Sequence, residues 1–352
     1  MHIIGSRGSG GAEQFYVRLC NALYESGHPV SAINQPGSAV SNALNPALPQ
    51  YPVRMRNVWD VFAMTKIRRL VTREKPAVVQ TYMGRATRLA RLGRADAVHI
   101  TRLGGFYDVK GYRHADAWVG NTKAICDHLI RHGMKAERVF HIGNFVAPSP
   151  TTETPLSLRE RFGIPADERI IFSAGRLIER KGFEDLLRAL AKLPTTLDGQ
   201  RWRCLIAGDG PDREHLAKVT EGHGLTEQVT WCGWVGELGT YYQAADLFIC
   251  PSRWEPLGNV ILEAWYHATP VVTTASEGAL ELVHDGIDAL VAPPENPDAI
   301  ANQIRSFFER APDERSAIGD AGNRRALSTH SAEQVIAAYA SLYETLLTRG
   351  PR

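Results

Sequence analysis

Short apolar runs alternate with helical segments along most of this chain, and this alternation restricts the folds available to it. Strand candidates in the first half lie at His2–Gly5, Val30–Ile33, Ala77–Gln80, Val98–Arg102, Ala117–Gly120 and Val139–Ile142. Helical segments separate several of them, as expected where parallel strands are joined by crossover connections. The sequence therefore predicts an α/β fold in which helices cover both faces of a parallel sheet.

The alternation stops between Phe145 and Leu156, where three prolines and several small polar residues occur. It restarts with a buried strand at Arg169–Gly175. Such an interruption is typical of an interdomain linker, and a chain of 352 residues is long enough for two domains that each bury a core. We predict a first domain over residues 1–147, a linker over 148–157, a second domain over 158–330 and a terminal helical segment over 331–352.

Cysteine usage and hydropathy restrict the class of protein. The five cysteines are dispersed and contain no C-x-x-C pair, which argues against a disulfide framework or a zinc site: Cys20, Cys126, Cys204, Cys232 and Cys250. The first twenty residues lack the apolar core of a signal peptide, and no stretch approaches the ~20 apolar residues of a membrane span. We expect a cytoplasmic protein that is neither exported nor crosses a bilayer.

Charge is distributed unevenly between the two halves. Residues 1–150 hold 20 Lys and Arg against 9 Asp and Glu, a net charge of +11, whereas the remaining residues have a net charge of −9. A basic first half suits an anionic membrane surface or an anionic acceptor. A nucleic-acid partner is not expected, because the chain has no base-reading motif and no basic–aromatic interleaving.

Two basic segments in the first half favour a membrane surface. From Val58 to Val71 apolar residues recur at helical spacing, and cations cluster toward the end of the segment, as in an interfacial helix. A second series steps by three and predicts a basic band on a short helix that suits anionic lipid: Arg85, Arg88, Arg91 and Arg94. Peripheral binding to the inner face of the cytoplasmic membrane would follow. The alternative is that both are ordinary helices with solvated charged faces.

The stretch from Leu247 to Val272 predicts a strand, a loop, a buried helix and a second strand. The helix start near Gly258, Asn259 and Val260 offers unpaired backbone N–H groups and a positive dipole end, which suit a phosphate. Glu255 and Glu263 flank this start about 12 Å apart, so they cannot contact the same atom. A nucleotide sugar fits this spacing, with one carboxylate for sugar hydroxyls and the other for ribose. Chance spacing is the alternative.

Two further loops follow predicted strands and suit ligands. Arg176 and Lys181 flank a strand–helix turn, where two cations suit a diphosphate, although either alone is typical of a surface charge. The loop after Val98–Arg102 contains residues that suit an acceptor, because ligands bind at the carboxyl ends of strands in open α/β sheets. These acceptor candidates are Gly104, Gly105, Tyr107, Asp108 and Lys110.

The motifs occur in an order that resembles one family. They are Gly10-Gly-Ala-Glu13, Gly175-Arg-Leu with Lys181-Gly182, Ala207-Gly-Asp-Gly-Pro211, the E-x7-E pair Glu255/Glu263, Thr269-Pro-Val-Val272, and Glu277-Gly278 with Gly286. In this succession the chain resembles the retaining glycosyltransferases of family 4, also described as glycosyl transferases group 1. The resemblance implies the GT-B fold, in which two Rossmann-like doubly wound domains face a cleft and the last helix crosses back to the first domain.

The resemblance also implies roles for individual residues. Arg176 and Lys181 would bind the donor diphosphate together with the amides of residues 258–260. Glu255 would hold the transferred sugar and Glu263 the ribose. The other donor residues implied are Gly11, across the cleft near the diphosphate, and Gly208, Asp209 and Trp234, in loops against the base. Gly10 would lie in a loop that touches the acceptor and the donor.

The implied reaction is transfer of a sugar with retained anomeric configuration, without a metal or other cofactor. The leaving diphosphate gains charge that the two cations and the helix start stabilise. A UDP-sugar is favoured over a GDP- or ADP-sugar. Many relatives place a histidine after the strand that corresponds to Val98–Arg102, whereas this chain has Leu103-Gly-Gly-Phe there and His99 lies earlier. This loop is similar to that of some lipopolysaccharide-core transferases and implies a cell-envelope glycan or lipid-linked acceptor.

Two other functions remain open from sequence. A nucleotide-sugar epimerase shares the GT-B fold, although the E-x7-E pair and the two cations disfavour it. A non-catalytic donor-binding partner subunit is the other alternative, and the intact set of Arg176, Lys181, Glu255 and Glu263 disfavours that. The first strand is short, and relatives usually begin several residues earlier.

Overall fold

The computed structural model describes residues 1–8, 10–93, 96–146, 151 and 153–351. It divides into two compact units, of which the first contains Met1–Phe145 and Ala332–Arg352 and the second contains Val146–Ser331. Four of the ten positions of the predicted linker, 148–150 and 152, lie outside the described residues. The last part of the predicted linker is already helical, because a helix begins at Pro155.

The first unit is built on a parallel sheet, of which the structure describes seven strands. These are β1 (His2–Ile4), β2 (Ala32–Asn34), β3 (Gln50–Pro52), β4 (Val78–Tyr82), β5 (Val98–Leu103), β6 (Ala117–Gly120) and β7 (Val139–His141). Their order across the sheet is β3-β2-β1-β4-β5-β6-β7. Strand order reverses between β1 and β4, as in a doubly wound fold.

Helices connect these strands and bury one face each. They are α1 (Gly11–Glu25), α2 (Ala39–Ala43), α3 (Val61–Glu74), α4 (Met83–Leu89) and α5 (Lys123–Arg131), with short 3-10 turns at Val109–Gly111 and Ala136–Arg138. Asp60 accepts a hydrogen bond from the N–H of Ala63 and Thr122 accepts one from the N–H of Ile125, which satisfies amides at the starts of α3 and α5.

The second unit repeats the architecture. Its described strands are β8 (Arg169–Ala174), β9 (Thr196–Leu197), β10 (Gln200–Ala207), β11 (Val229–Gly233), β12 (Leu247–Cys250), β13 (Val271–Thr274) and β14 (Leu290–Ala292). The parallel order is β11-β10-β8-β12-β13-β14, and β9 pairs antiparallel with β10. Strand order again reverses in the middle of the sheet, here between β8 and β12.

The helices of the second unit pack on both faces of this sheet. They are α6 (Pro155–Arg161), α7 (Phe183–Leu190), α8 (Arg213–Gly222), α9 (Gly239–Ala244), α10 (Asn259–Tyr266), α11 (Glu277–Leu282), α12 (Pro297–Glu309) and α13 (Pro312–Thr329). One apolar core lies around Ile171, Leu187 and Ile304, and a second lies around Phe172, Phe248 and Trp265. Two cores on opposite faces of one sheet are expected for a doubly wound domain.

The final helix, α14 (Ala332–Arg349), belongs to the first unit. Its Tyr343 hydroxyl donates to Oε1 of Gln80 on β4 at 2.8 Å, and Tyr339 is fully buried near Phe15 of α1. These contacts hold the end of the chain against the sheet formed by its beginning. Across the described part of the chain, no helix combines the length and the apolar character that a membrane span requires.

Candidate functional site

The candidate donor site lies at the carboxyl edge of the second sheet. Strands β8 and β12 are parallel neighbours, with Ile171 opposite Leu247 and Phe172 opposite Phe248. The loops that follow them, residues 175–182 and 251–258, therefore emerge at the same edge. The sequence-predicted residues Arg176, Lys181 and Glu255 lie on these two loops.

Lys181 and Glu255 form an ion pair between the two loops. The ammonium of Lys181, in the 3-10 turn Glu179–Lys181, donates to Oε2 of Glu255. The hydroxyl of Ser252 donates to the same oxygen at 3.4 Å, and the backbone oxygen of Glu255 accepts from the N–H of Gly278 at 2.9 Å. Both side chains are largely buried, so the pair is held in a defined position. The other carboxylate oxygen of Glu255, Oε1, accepts no hydrogen bond from the described residues.

Arg176 has different surroundings. It is exposed, and among the described residues no carboxylate pairs with its guanidinium. Backbone hydrogen bonds hold its loop against the neighbouring Gly-rich turn, because Leu177 N–H donates to the oxygen of Asp209 and Gly175 N–H donates to the oxygen of Ala207, both at 3.0 Å. The backbone around Arg176 is therefore held in place, while its guanidinium remains accessible to an anion.

The start of α10 lies in the same loop as Glu255. Gly258 occupies the left-handed region, with φ +86°, and the helix begins at the next residue, Asn259. Gly258 is the N-cap residue and has no side chain that could cap the helix. As at any helix start, the first-turn amides, which include that of Val260, have no acceptor within the helix.

Glu263 lies on α10 in a separate environment. The hydroxyl of Tyr242 donates to its Oε2 at 3.4 Å, and the ring of Tyr242 stacks on His267 at 5.9 Å between centroids. Tyr242 itself is buried. Sequence reasoning missed Tyr242, and also Ser252. Ser252 was detectable from its place in the same loop as Glu255, whereas nothing local marks Tyr242.

The residues predicted to contact the base follow β10 and β11. Gly208 and Asp209 form the turn after β10, where the carboxylate of Asp209 accepts from the N–H of Gly210 at 2.8 Å. Trp234 follows β11 and is exposed. These two strands are parallel neighbours, so both turns lie at the same edge of the sheet as the Arg176 loop.

In the first unit, Gly10 and Gly11 are exposed at the start of α1. Behind them Glu13 is buried, and its carboxylate accepts a hydrogen bond from the hydroxyl of Ser6. A Cβ on Gly10 would lie 3.1 Å from Oε2 of Glu13. The Glu13 carboxylate therefore packs against the glycine loop and is not exposed to solvent.

The predicted acceptor loop follows β5. Tyr107 and Lys110 are exposed, whereas the Asp108 carboxylate accepts from the N–H of Lys110 at 3.0 Å and caps the short turn there. Gly104 is half-buried, and Gly105 is buried under the ring of Tyr107. Asp108 thus organises the loop and is itself exposed, so a ligand can reach its carboxylate as well as the ring of Tyr107 and the ammonium of Lys110.

His99 lies inside β5, as the sequence indicated, and does not reach this loop. Its Nε2 lies 3.0 Å from the hydroxyl of Thr81, and its backbone N–H donates to Asp116 at 2.7 Å. Burial lowers the pKa of His99 to about 3, with smaller contributions from the neighbouring His114 and Arg91. The imidazole is therefore neutral at physiological pH and is part of the core.

The predicted membrane helix is corrected by its packing. The apolar stripe of α3, including Ile67, Leu70 and Val71, lies in the core of the first unit and is closed to a bilayer. The large apolar side chains that remain exposed lie at its start, where Trp59 is 82% and Phe62 is 87% exposed. The exposed apolar residues and the exposed cations around them are named here the Trp59 patch: Trp59, Val61, Phe62, Arg54, Arg56, Lys66 and Arg69.

The predicted basic band on α4 is wrong in its extent. The helix ends at Leu89, before Arg91, and Arg94 lies outside the described residues. Arg85 donates to the backbone oxygens of Gly5 at 3.0 Å and Met55 at 3.3 Å, so it serves the fold of the first unit.

Comparisons with known proteins identify the family. The model of Glycosyltransferase Family 4 matches residues 9–149, and that of glycosyl transferases group 1 matches residues 156–325. The lipopolysaccharide core biosynthesis glycosyltransferase LpsE of Rhizobium meliloti is 32% identical over 336 residues, or 95% of each chain. The chain belongs to the glycosyltransferases of family 4. LpsD of the same organism, another lipopolysaccharide core biosynthesis glycosyltransferase, is 29% identical to this transferase, again over 95% of each chain.

The fold of this transferase matches solved GT-B structures. Anabaena HepE aligns with a TM-score of 0.85 and 20% identity, covering 98% of this chain and 99% of HepE. The predicted fold, two Rossmann-like α/β domains of the GT-B type, is confirmed. The expectation that the chain is a glycosyltransferase that moves hexose is also confirmed.

Proposed function

We propose that this transferase moves a hexose from a UDP-sugar to a hydroxyl of a cell-envelope glycan or lipid-linked acceptor. The observation that carries the proposal is the ion pair of Lys181 and Glu255 beside the exposed, uncompensated Arg176 at one edge of the second sheet. The names of LpsE and LpsD support an acceptor in the lipopolysaccharide core. HepE, which shares the fold, was crystallised with UDP and glucose and supports UDP as the nucleotide.

The charges at this edge suit departure of a nucleoside diphosphate. Arg176 binds the diphosphate as a fork of N–H donors, and Lys181 adds a point charge. The amides of Gly258, Asn259 and Val260 add the positive end of α10. Preorganised positive groups of this kind stabilise the charge that develops as the glycosidic bond breaks, so the reaction proceeds without a metal or other cofactor.

The two glutamates bind different sugar rings of the donor. Glu255, fixed by Lys181 and Ser252, accepts hydrogen bonds from hydroxyls of the transferred sugar, and Glu263 accepts them from ribose. Gly11, Gly208, Asp209 and Trp234 complete the donor contacts. The anomeric configuration is retained, as the resemblance to family 4 implies. The acceptor is bound by residues of the first unit: Gly10, Gly104, Gly105, Tyr107, Asp108 and Lys110.

A hydrolysis assay tests the reaction. The protein is incubated with radiolabelled UDP-glucose, UDP-galactose and UDP-N-acetylglucosamine, and release of sugar is followed for wild type, Glu255→Ala and Arg176→Ala. Slow hydrolysis that both variants lose is the expected result. Arg188→Ala is the control, because Arg188 is an exposed arginine of the same unit on α7. Epimerised donor would favour the epimerase function, and binding without turnover would favour a partner subunit.

Donor choice has its own measurement. Thermal unfolding is recorded with UDP, GDP and ADP at equal concentrations, because a ligand that binds the folded state stabilises it by about 2.7 kcal/mol at a hundredfold excess over Kd. UDP is expected to raise the melting temperature most. A larger rise with GDP or ADP would contradict the proposed donor. Product anomers formed on an acceptor from a rough-type lipopolysaccharide, distinguished by NMR, test retention.

We propose further that the protein binds the inner face of the cytoplasmic membrane through the Trp59 patch. Two exposed aromatic rings suit the interfacial region of a bilayer, and four exposed cations suit anionic headgroups. On α3, Lys66 and Arg69 follow Phe62 by four and seven residues, so they share its side of the helix. A lipid-linked acceptor would be presented at such a surface.

Vesicle sedimentation tests the patch. Vesicles of phosphatidylcholine with phosphatidylglycerol are expected to carry wild type into the pellet, whereas the double variant Trp59→Ser/Phe62→Ser stays largely in the supernatant. Ile287→Ser is the matched control, because Ile287 is an exposed apolar residue of the second unit. Equal sedimentation of all three proteins would exclude the patch as the binding surface.

A further inference from the structure

A second ion pair joins the loop that carries Glu255 to the first turn of α7, which directly follows the loop that carries Lys181. The guanidinium of Arg253 donates through Nε to Oδ2 of Asp185 at 2.7 Å and through Nη2 to Oδ1 at 2.9 Å. Asp185 lies in the first turn of α7, four residues after Lys181, and Arg253 lies two residues before Glu255. The carboxylate is 4% exposed and the guanidinium side chain 23%. Two-pronged pairing fixes the relative orientation of the groups as well as their distance.

Arg253 is poorly suited to bind the donor itself. Besides Asp185, its guanidinium lies 3.4 Å from a carboxylate oxygen of Glu179 and 3.9 Å from one of Glu295. Hydrogen bonding to Asp185 raises its pKa further above the ordinary value. Three carboxylates neutralise the Arg253 cation, whereas none pairs with Arg176 among the described residues. The role of Arg253 is therefore structural, in joining the segments at this edge of the sheet.

The two loops also meet through their backbones. The N–H of Trp254 donates to the oxygen of Arg180 at 3.2 Å, and the guanidinium of Arg180 lies 5.4 Å from the centre of the Trp254 ring. A Cβ on Gly182 would lie 2.0 Å from the backbone oxygen of Pro251. The segments 180–185 and 251–255 are therefore in contact at several points, so a shift of one is expected to move the other.

We infer that Asp185 and Arg253 are positioning residues, which set the geometry of the Lys181–Glu255 pair by cross-linking the same two segments. Asp185 and Arg253 are joined by two hydrogen bonds, and the Asp185 carboxylate is more buried than that of Glu255, at 4% against 12% exposed. This pair therefore fixes the segments, and the pair of Lys181 and Glu255, which has a single hydrogen bond, depends on them. This inference rests on the proposed function for the catalytic roles of Lys181 and Glu255. The structural dependence of one pair on the other stands without it.

Competitive acetylation of lysines measures that dependence directly. Wild type, Asp185→Asn and Arg253→Gln are treated with trace acetic anhydride, and acetylation of Lys181 is compared by mass spectrometry with that of exposed Lys218. Loss of the pair of Asp185 and Arg253 separates the ammonium of Lys181 from the carboxylate of Glu255. Relative acetylation of Lys181 should therefore rise roughly fivefold in both variants, toward the value in Glu255→Gln. The double variant should add nothing further, because both changes remove one interaction.

Asp288→Asn is the matched control. Asp288 pairs with Arg325 at 2.7 Å, with side chains 3% and 26% exposed, in the same unit but in neither loop. It should leave Lys181 acetylation unchanged. Asp185→Glu should restore part of the protection by returning the charge. Should circular dichroism show that Asp185→Asn does not fold, Arg253→Lys replaces it in the test, because it keeps the charge and loses only one of the two hydrogen bonds to Asp185. Unchanged protection of Lys181 in the folded variants, while Glu255→Gln exposes it, would overturn the inference.

Turnover separates this inference from the proposed function. With UDP-glucose as donor, kcat for hydrolysis should fall roughly tenfold in Asp185→Asn. The Kd for UDP should change less than about twofold, because Arg176 and the start of α10 still bind the diphosphate and Lys181 keeps its charge. A rise in Kd with unchanged kcat would contradict a positioning role. If acetylation rises as expected but wild type hydrolyses no UDP-sugar, the proposed donor fails and the structural dependence stands.

Discussion

Glu255 and Glu263 have the same side chain in different surroundings, and their substitutions should affect different quantities, turnover in one case and UDP affinity in the other. Glu255 is paired with Lys181, whereas Glu263 accepts from a tyrosine hydroxyl. Glu255→Gln should lower turnover of UDP-sugar about 100-fold, because a fixed charge at the reacting sugar is lost, with little change in UDP affinity. Parallel hydrolysis assays and calorimetric titrations with UDP measure both quantities.

Glu263→Gln should show the opposite division. Removing a charged acceptor from ribose costs about 1.5–3 kcal/mol, which raises the Kd for UDP by roughly 10- to 100-fold and leaves kcat near that of wild type. Tyr242→Phe serves as a control for the surroundings, since it removes only the hydroxyl that donates to Glu263 at 3.4 Å. Equal losses of turnover in the two glutamate variants would refute the division of roles.

His99 gives the first unit a dependence on pH that one substitution should remove. Burial lowers its folded-state pKa to about 3, and the unfolded value is about 6.5. The unfolded chain therefore binds a proton below pH 6.5 that the folded chain rejects. The stability contributed by the neutral ring is complete above pH 6.5 and is lost as pH falls from there toward 3.

For His99→Gln, the free energy of unfolding should decline less steeply with acid than in wild type. Between pH 6.5 and 5 the difference should reach about 1.6 kcal/mol, because the slope rises toward about 1.36 kcal/mol per pH unit as the unfolded histidine becomes fully protonated. Urea titrations at several pH values measure it, and this window stays above the range in which most carboxylates titrate. Parallel slopes for the two proteins would show that His99 is not the group responsible.

At the scale of elements, the turn between β8 and α7 depends on one residue without a side chain. Gly182 has φ +68°, and a Cβ there would lie 2.0 Å from the oxygen of Pro251. Gly182→Ala should cost about 3 kcal/mol, which combines left-handed strain of about 1 kcal/mol with overpacking of about 2. Gly199→Ala isolates the strain, because Gly199 has φ +73° and open space around it. Melting temperatures should fall clearly further for Gly182→Ala.

The elements also show what sequence can and cannot predict. The strand Ala117–Gly120 was predicted with its observed bounds, and the helix predicted to start near Gly258 begins at Asn259, because a buried apolar run bounded by turn residues is a strong local signal. Strand β3 and helix α2 were missed. Each is short, and neither carries a buried apolar run, because β3 is half-buried and α2 buries only Val40. β3 also ends in proline, so its pairing with β2 depends on tertiary contacts.

The candidate site shows the same limit. Motif order indicated Arg176, Lys181, Glu255 and Glu263, yet the pair of Asp185 and Arg253 was not predicted, since 68 residues separate its members and each is an ordinary charged residue in sequence. Likewise the apolar spacing of α3 predicted an amphipathic helix but could not say which side the core would cover. Packing decided that the stripe is buried and that Phe62 is exposed.

At the scale of the whole molecule, the separation of charge predicts how membrane binding responds to salt. Residues 1–150 have a net charge of +11 and the rest a net charge of −9, so the overall charge of +2 conceals a strongly basic half. Raising salt from 0.01 to 1 M shortens the Debye length from about 30 Å to about 3 Å. Attraction of the basic half to anionic vesicles should then disappear, while the rings of Trp59 and Phe62 still favour the interface.

Binding of wild type to phosphatidylglycerol vesicles should therefore fall steeply with salt but keep a residual, salt-independent part. The variant Lys66→Glu/Arg69→Glu should lose most of the salt-dependent part, because each cation near an anionic surface contributes about 1 kcal/mol. Trp59→Ser/Phe62→Ser should lose the residual part instead. Sedimentation across a salt series distinguishes them. If both variants changed the same part of the curve, the rings and the cations would not act as separate components of the Trp59 patch.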